Sequence, residues 1–159
     1  MDALRDHKTV TAQNNGEVLD GILTQAREAA DQHQTPELLG LHALAVVWSQ
    51  KWHYASASWN AERYDEGERV VTAALAAGSS GAGQLARGVL SGGACRLMPD
   101  SDATLRRTRC EESITAIDAA WQAVRWDSSL DWLAVEVQWA GVMSCLLYTS
   151  DAADEVWGV

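Results

Sequence analysis

The chain is 159 residues long, 47% hydrophobic and 21% charged, with a net charge of −10. That length supports one domain with a buried core. The acidity argues against a nucleic-acid partner, since phosphate binding needs concentrated Lys and Arg.

Residues 1–16 are polar and aperiodic, and a flexible N-terminal arm is expected there. They lack the apolar core of a signal peptide. No run of about 18 apolar residues occurs anywhere, so no membrane partner is expected. From Val18 the apolar positions recur at helical spacing, with Val18, Leu19, Ile22, Leu23, Ala26, Ala29 and Ala30 in one stripe. The polar run 31–34 ends it. Thr35-Pro36-Glu37 then supplies a start signal: an N-cap hydroxyl, a proline where no N–H is needed, and an acid at the positive end of the dipole.

A second helix is predicted over 36–57, with Leu38, Leu41, Ala45, Trp48 and Trp52 inward. A break at 58–60 precedes a third over 61–77, which Gly78 terminates. The glycine- and serine-rich stretch 78–83 opens into a fourth over 82–97. Pro99, Asp100, Ser101 and Asp102 stop that helix and cap a fifth over 103–124. Asp127, Ser128 and Ser129 cap a sixth over 130–147. No segment alternates with the period of a strand. The fold class expected is all-α, with about six helices, and 17–144 forms the helical domain.

Residues 145–155 read CLLYTSDAADE. They resemble the in-frame translation of the transposase adapter used to prepare shotgun sequencing libraries. The segment 145–159 is therefore expected to be a non-native tail on a metagenomic fragment, with the helical domain cut short before it. Asp151, Asp154 and Glu155 lie in this tail, which leaves the remainder near −7.

The helical segments repeat. With Ala26, Ala74 and Ala120 taken as equivalent, Leu23, Val71 and Ile117 stand three residues before, and Ala29, Ala77 and Ala123 three after. The partner segments align too. Leu38, Leu41, Ala45 and Trp48 match Ala86, Val89, Gly93 and Arg96, and then Trp132, Val135, Trp139 and Val142. The two spacings are 48 and 46 residues. A helical hairpin cannot bury both its faces alone, and stacked neighbours complete the core.

Residues 64–75, YDEGERVVTAAL, are similar to the second helix of tetratricopeptide repeats, with Gly67 at the small position, Val71 at the aromatic one and Ala74 at the alanine. Residues 110–120, CEESITAIDAA, resemble it again through Ser113, Ile117 and Ala120. Residues 22–45 resemble the junction between one such repeat and the next. The likeness covers about 18–144. The period exceeds the family's 34 residues, and the tryptophan-containing signature of its first helix is missing. The resemblance implies antiparallel hairpins stacked as a right-handed superhelix, with a groove for a protein or peptide partner.

Few residues suggest chemistry. Glu62, Asp65, Glu66 and Glu68 read as the solvated face of one helix, and Glu111 and Glu112 of another. His42 and His53 stand about 16 Å apart along one helix axis, too far to share a metal. Residues 78–83 have the glycines of a phosphate loop without its Lys-Ser/Thr ending. No catalytic, cofactor-binding or metal residue is assigned, no cofactor is implied, and the fragment reads as a non-enzyme. The cluster Arg106, Arg107 and Arg109 reads as helix surface. Cys95 and Cys110 read as reduced, partly buried thiols of a cytoplasmic protein.

Most tryptophans are expected in the core. An aromatic partner groove is the alternative for Trp52, with His53, Arg63 and Tyr64 beside it. The function expected is a protein-binding scaffold or adaptor within a longer protein. A ligand-sensing module of a signalling or transcription protein is the other reading. Trp132, Val135, Trp139, Val142 and Leu146 would leave the last helix with an exposed apolar face, through which the chain is expected to self-associate.

Overall fold

Local signals set most helix limits. The computed structural model describes residues 15–50, 52, 57–99, 103–124, 136–138 and 140. The fold is all-α, and among the described residues there is no strand. The helices are α1 (Asn15–His33), α2 (Pro36–Ser49), α3 (Ala61–Ala77), α4 (Gly81–Leu97) and α5 (Ala103–Val124). Glu136, Val137, Gln138 and Ala140 are helical as well, within the predicted sixth helix. None of the helices among the described residues is long and apolar enough to cross a membrane. Residues 1–14, most of the sixth helix and the whole of 145–159 lie outside the described residues. Asn15 and Gly16, expected in the arm, belong to α1.

Thr35 caps α2 by accepting from the Leu38 N–H at 3.3 Å, and Asn60 caps α3 by accepting from the Arg63 N–H at 2.9 Å. Ser80 caps α4, which starts at Gly81. Each satisfies an N–H that the first turn leaves without a helical partner. Gly78 ends α3 at φ 153°, and a Cβ there would meet the Pro36 ring at 2.6 Å.

α2 is shorter than expected, ending at Ser49 rather than at residue 57. Nothing in the local sequence breaks it. The chain turns because Trp52 enters the core, 2% exposed, with its Cβ where a side chain on Gly93 would stand. Its indole N–H donates to Gln50 Oε1 at 2.7 Å, and Gln50 Nε2 donates to the Arg63 carbonyl at 2.8 Å.

The inward face of α2 also differs. Gly40, Ala43, Leu44, Val46 and Val47 are buried, while Leu38, Leu41, Ala45 and Trp48 are half-buried. The segment is apolar on nearly every side, so periodicity alone does not fix its rotation. Close approach fixes it: a Cβ on Gly40 would come within 2.7 Å of the Gly83 amide of α4.

α4 is the central helix, with eleven of its seventeen residues buried. Leu85 and Leu90 are fully enclosed, each contributing about 1.5–3 kcal/mol of burial. α4 packs against α2, α3 and α5. At the α5 contact a Cβ on Gly88 would stand 2.5 Å from Ile117 Cγ1. The main core joins side chains of α2 to α5 with Trp52, Met98, Val137 and Ala140. Val137 is 1% exposed. The stripe residues Trp132, Val135, Trp139, Val142 and Leu146 lie outside the described residues.

Cys95 and Cys110 form a disulfide between α4 and α5, with Cα atoms 4.9 Å apart. This corrects the reading of both as reduced thiols. The packing of α4 on α5 brings the two together. Such bonds persist in oxidising compartments.

The equivalent segments 22–29, 70–77 and 116–123 are all helical. Ala74 is 2% exposed and Ala120 fully buried, whereas Ala26 is half-buried. Ala74→Trp is expected to cost about 1–3 kcal/mol or more, since an indole would overpack a position that is 2% exposed. Glu66→Ala, on an exposed residue, is expected to stay within about 0.5 kcal/mol. Urea melts of the two variants with equal midpoints would contradict this placement of α3.

Candidate functional site

Three helices bring charge together in a part-buried cluster. Glu68 and Thr72 stand one turn apart on α3, Arg87 and Ser91 one turn apart on α4, and Arg109 and Glu112 three residues apart on α5. The Arg87 side chain is only 10% exposed. Its Nη1 meets Glu68 Oε2 at 2.6 Å and Glu112 Oε1 at 3.7 Å, and its Nη2 donates to Thr72 Oγ1 at 2.9 Å. Glu112 Oε2 accepts from Arg109 Nη1 at 2.6 Å and from Ser91 Oγ at 2.9 Å. The Tyr64 hydroxyl donates to Glu68 Oε2 at 3.3 Å. The Arg109 guanidinium lies over the Tyr64 ring, 5.5 Å from its centre.

The surroundings shift Glu68, Tyr64 and Arg109 away from their ordinary values. Burial alone would raise Glu68, but the hydrogen bond and charge of Arg87, with the charge of Arg109, hold its carboxyl below the usual value. Burial, followed by the negative charge of Glu68, pushes the Tyr64 phenol up. Burial opposes the charge on Arg109, yet its bond to Glu112 raises it overall. Glu68, held by arginine below its usual value, is not poised as a general acid. The cluster ties α3, α4 and α5 to one another.

Sequence reasoning missed this cluster. It placed Glu68 and Glu112 on solvated faces, and both are half-buried, while Glu62, Asp65, Glu66 and Glu111 are exposed as expected. The available signal was Arg87 itself, one cation in a stretch of small and apolar residues that had to find a carboxylate once buried.

The proposed groove residues do not share one surface. Trp52 and Tyr64 are buried, 2% and 6% exposed, and Arg63 is exposed. His53 lies outside the described residues. Trp52, Trp59 and Tyr64 form an aromatic cluster, with ring centres 6.0 Å apart for Trp52–Trp59, 6.4 Å for Trp52–Tyr64 and 5.2 Å for Trp59–Tyr64. This geometry is that of core packing. The Trp52 carbonyl accepts from Arg96 Nη2 at 2.6 Å, so that residue is held through its backbone as well.

Among the described residues, no group of three or more His, Cys, Asp or Glu side chains converges as a metal site would require. No protein-family model matches the chain, and no curated protein or solved structure shows significant similarity to it.

Proposed function

We propose that the chain is a protein–protein interaction scaffold or adaptor built of tetratricopeptide-like helical hairpins in a right-handed superhelix, and that it holds a peptide or a helix of a partner protein. The order of helix contacts carries this reading. Each helix packs against its chain neighbour, and α2 packs also against α4. Stacked hairpins bring the helices of one row together, as α2 is with α4. Residues made equivalent by the sequence repeat, Leu41 with Val89 and Trp48 with Arg96, are half-buried in both helices. The row formed by α2 and α4 therefore keeps large side chains within reach of a partner, and tryptophan is a strong anchor there.

The test is selection of peptides from a random displayed library against the full chain. Trp48→Ala is expected to weaken the selected peptides at least about tenfold, the scale of one buried aromatic anchor. Glu111→Ala, on the exposed side of α5, is expected to leave them unchanged. Peptides insensitive to Trp48 would overturn the α2–α4 row as the binding surface, and no peptide at all beside a small molecule that raises the melting temperature would replace the scaffold with the ligand-sensing reading. Self-association through the sixth helix is a further part of the proposal. Sedimentation at tens of micromolar checks it, and a clean monomer would remove it.

A further inference from the structure

Among the described helices α1 is the least anchored. Its one substantial helix partner is α2. The main apolar core draws side chains from α2, α3, α4 and α5 and none from α1. Of the described α1 side chains only Ile22 and Ala30 are buried. Against this helix stands His42 of α2, half-buried, within electrostatic reach of Arg27 and Asp31 of α1. Its Nε2 is enclosed and has no hydrogen-bond partner.

An orphan ring nitrogen is tolerable while the imidazole is neutral. Protonation would place a charged N–H donor in that enclosed position with no acceptor, which costs far more than an unpaired neutral atom. The incoming charge would also face the Arg27 guanidinium, with Asp31 one turn further along α1 offsetting part of the repulsion. No charged group of α3 or α4, the other helices packed on α2, is among those acting on His42.

We propose that His42 is an acid-operated latch, whose protonation releases α1 from α2 and uncovers the α2 face beneath it. The latch adds regulation to the scaffold proposed above, but its test does not depend on any partner. Burial first, then Arg27, lower the affinity of His42 for a proton, and Asp31 opposes them. A base lowered in this way contributes its full stability above the unfolded value of 6.5. That contribution is lost as pH falls below 6.5 toward the lowered folded value. The window therefore lies on the acid side of neutrality.

The experiment is amide hydrogen exchange on the full chain at pH 7.5 and 5.0, corrected for intrinsic exchange and compared between α1 and α4. Protection over residues 22–30 is expected to fall about threefold to thirtyfold relative to α4. The upper figure is roughly the largest change one histidine allows over that interval. His42→Gln is expected to abolish the difference, and His33→Gln, at the far end of α1, to leave it. If His42→Gln does not fold, Arg27→Gln on the exposed side of α1 serves instead. It is expected to raise the His42 midpoint in an NMR titration and to shrink the fall. Unchanged α1 protection, a fall shared equally by every helix, or a fall undiminished in both variants would overturn the latch.

Discussion

Replacing Arg87 by alanine is expected to destabilise the fold by about 3 kcal/mol, the lower end of the range for breaking a buried ion pair. The loss comes from what stays behind. Glu68 and Glu112, 31% and 32% exposed, would keep their charges in partly desolvated positions without the cation that both approach. The hydroxyl of Thr72 would lose its donor too. Their remaining contact with water holds the figure below the full range. Removing the stranded charge should restore stability, so Arg87→Met with Glu68→Gln is expected to be more stable than Arg87→Met alone. Urea melts at pH 7 of the parent chain, Arg87→Met, Glu68→Gln and the double variant measure this, and additive effects would show that the pair is not coupled.

The same pair makes stability depend on pH. Glu68 is held below its ordinary carboxyl value, so its contribution is present above the unfolded value of 4.5. It is lost as pH falls through the lowered folded value. The Arg87→Ala variant is expected to show a flatter acid limb than the parent chain.

Reducing the Cys95–Cys110 bond is expected to have an effect of similar size. The cysteines are 15 residues apart, and a loop of that length restricts the unfolded chain by about 3 kcal/mol. For a domain of this size that corresponds to roughly 6–12 °C in melting temperature. The comparison is oxidised protein against protein in a phosphine reductant, with Cys95→Ala/Cys110→Ala as the variant. Alanine suits both sites, which are 8% and 4% exposed. Equal melting temperatures in all three samples would mean that the bond adds nothing to the packing of α4 on α5.

Much of the fold was legible because its signals are local. Asn60 and Gly78 bracket α3, and Thr35 with Pro36 opens α2. A cap acts within one turn of its own helix, so the sequence carries it directly. The limits of α3, whose flanking residues are described on both sides, agree with the sequence reading of about 61–77. Ala74 and Val71, on the apolar stripe read for α3, are buried.

The candidate site was much less legible. Trp52 and Tyr64 were named as groove residues because aromatic side chains serve cores and grooves equally well, and composition does not separate the two. Arg87 and Glu68 are 19 residues apart, and Ser91 and Glu112 are 21 apart. Helical periodicity shows only neighbours three or four residues away on one helix. A charged residue facing another helix reads, in sequence, like one facing water.

Among the described residues the sequence by itself therefore determined most of the helices, the N-cap of α2, the alternation of small and large apolar residues, and the absence of a strand period. Tertiary structure alone decided where α2 ends, because Trp52 leaves the helix to fill the space beside Gly93. It decided the rotation of α2, where apolar residues on every side leave the phase open until Gly40 meets Gly83. It also decided that Cys95 bonds Cys110 and that Arg87 is buried with its carboxylates. These choices rest on contacts between helices, whose free energy depends on close approach and desolvation at particular points rather than on the pattern along any one segment.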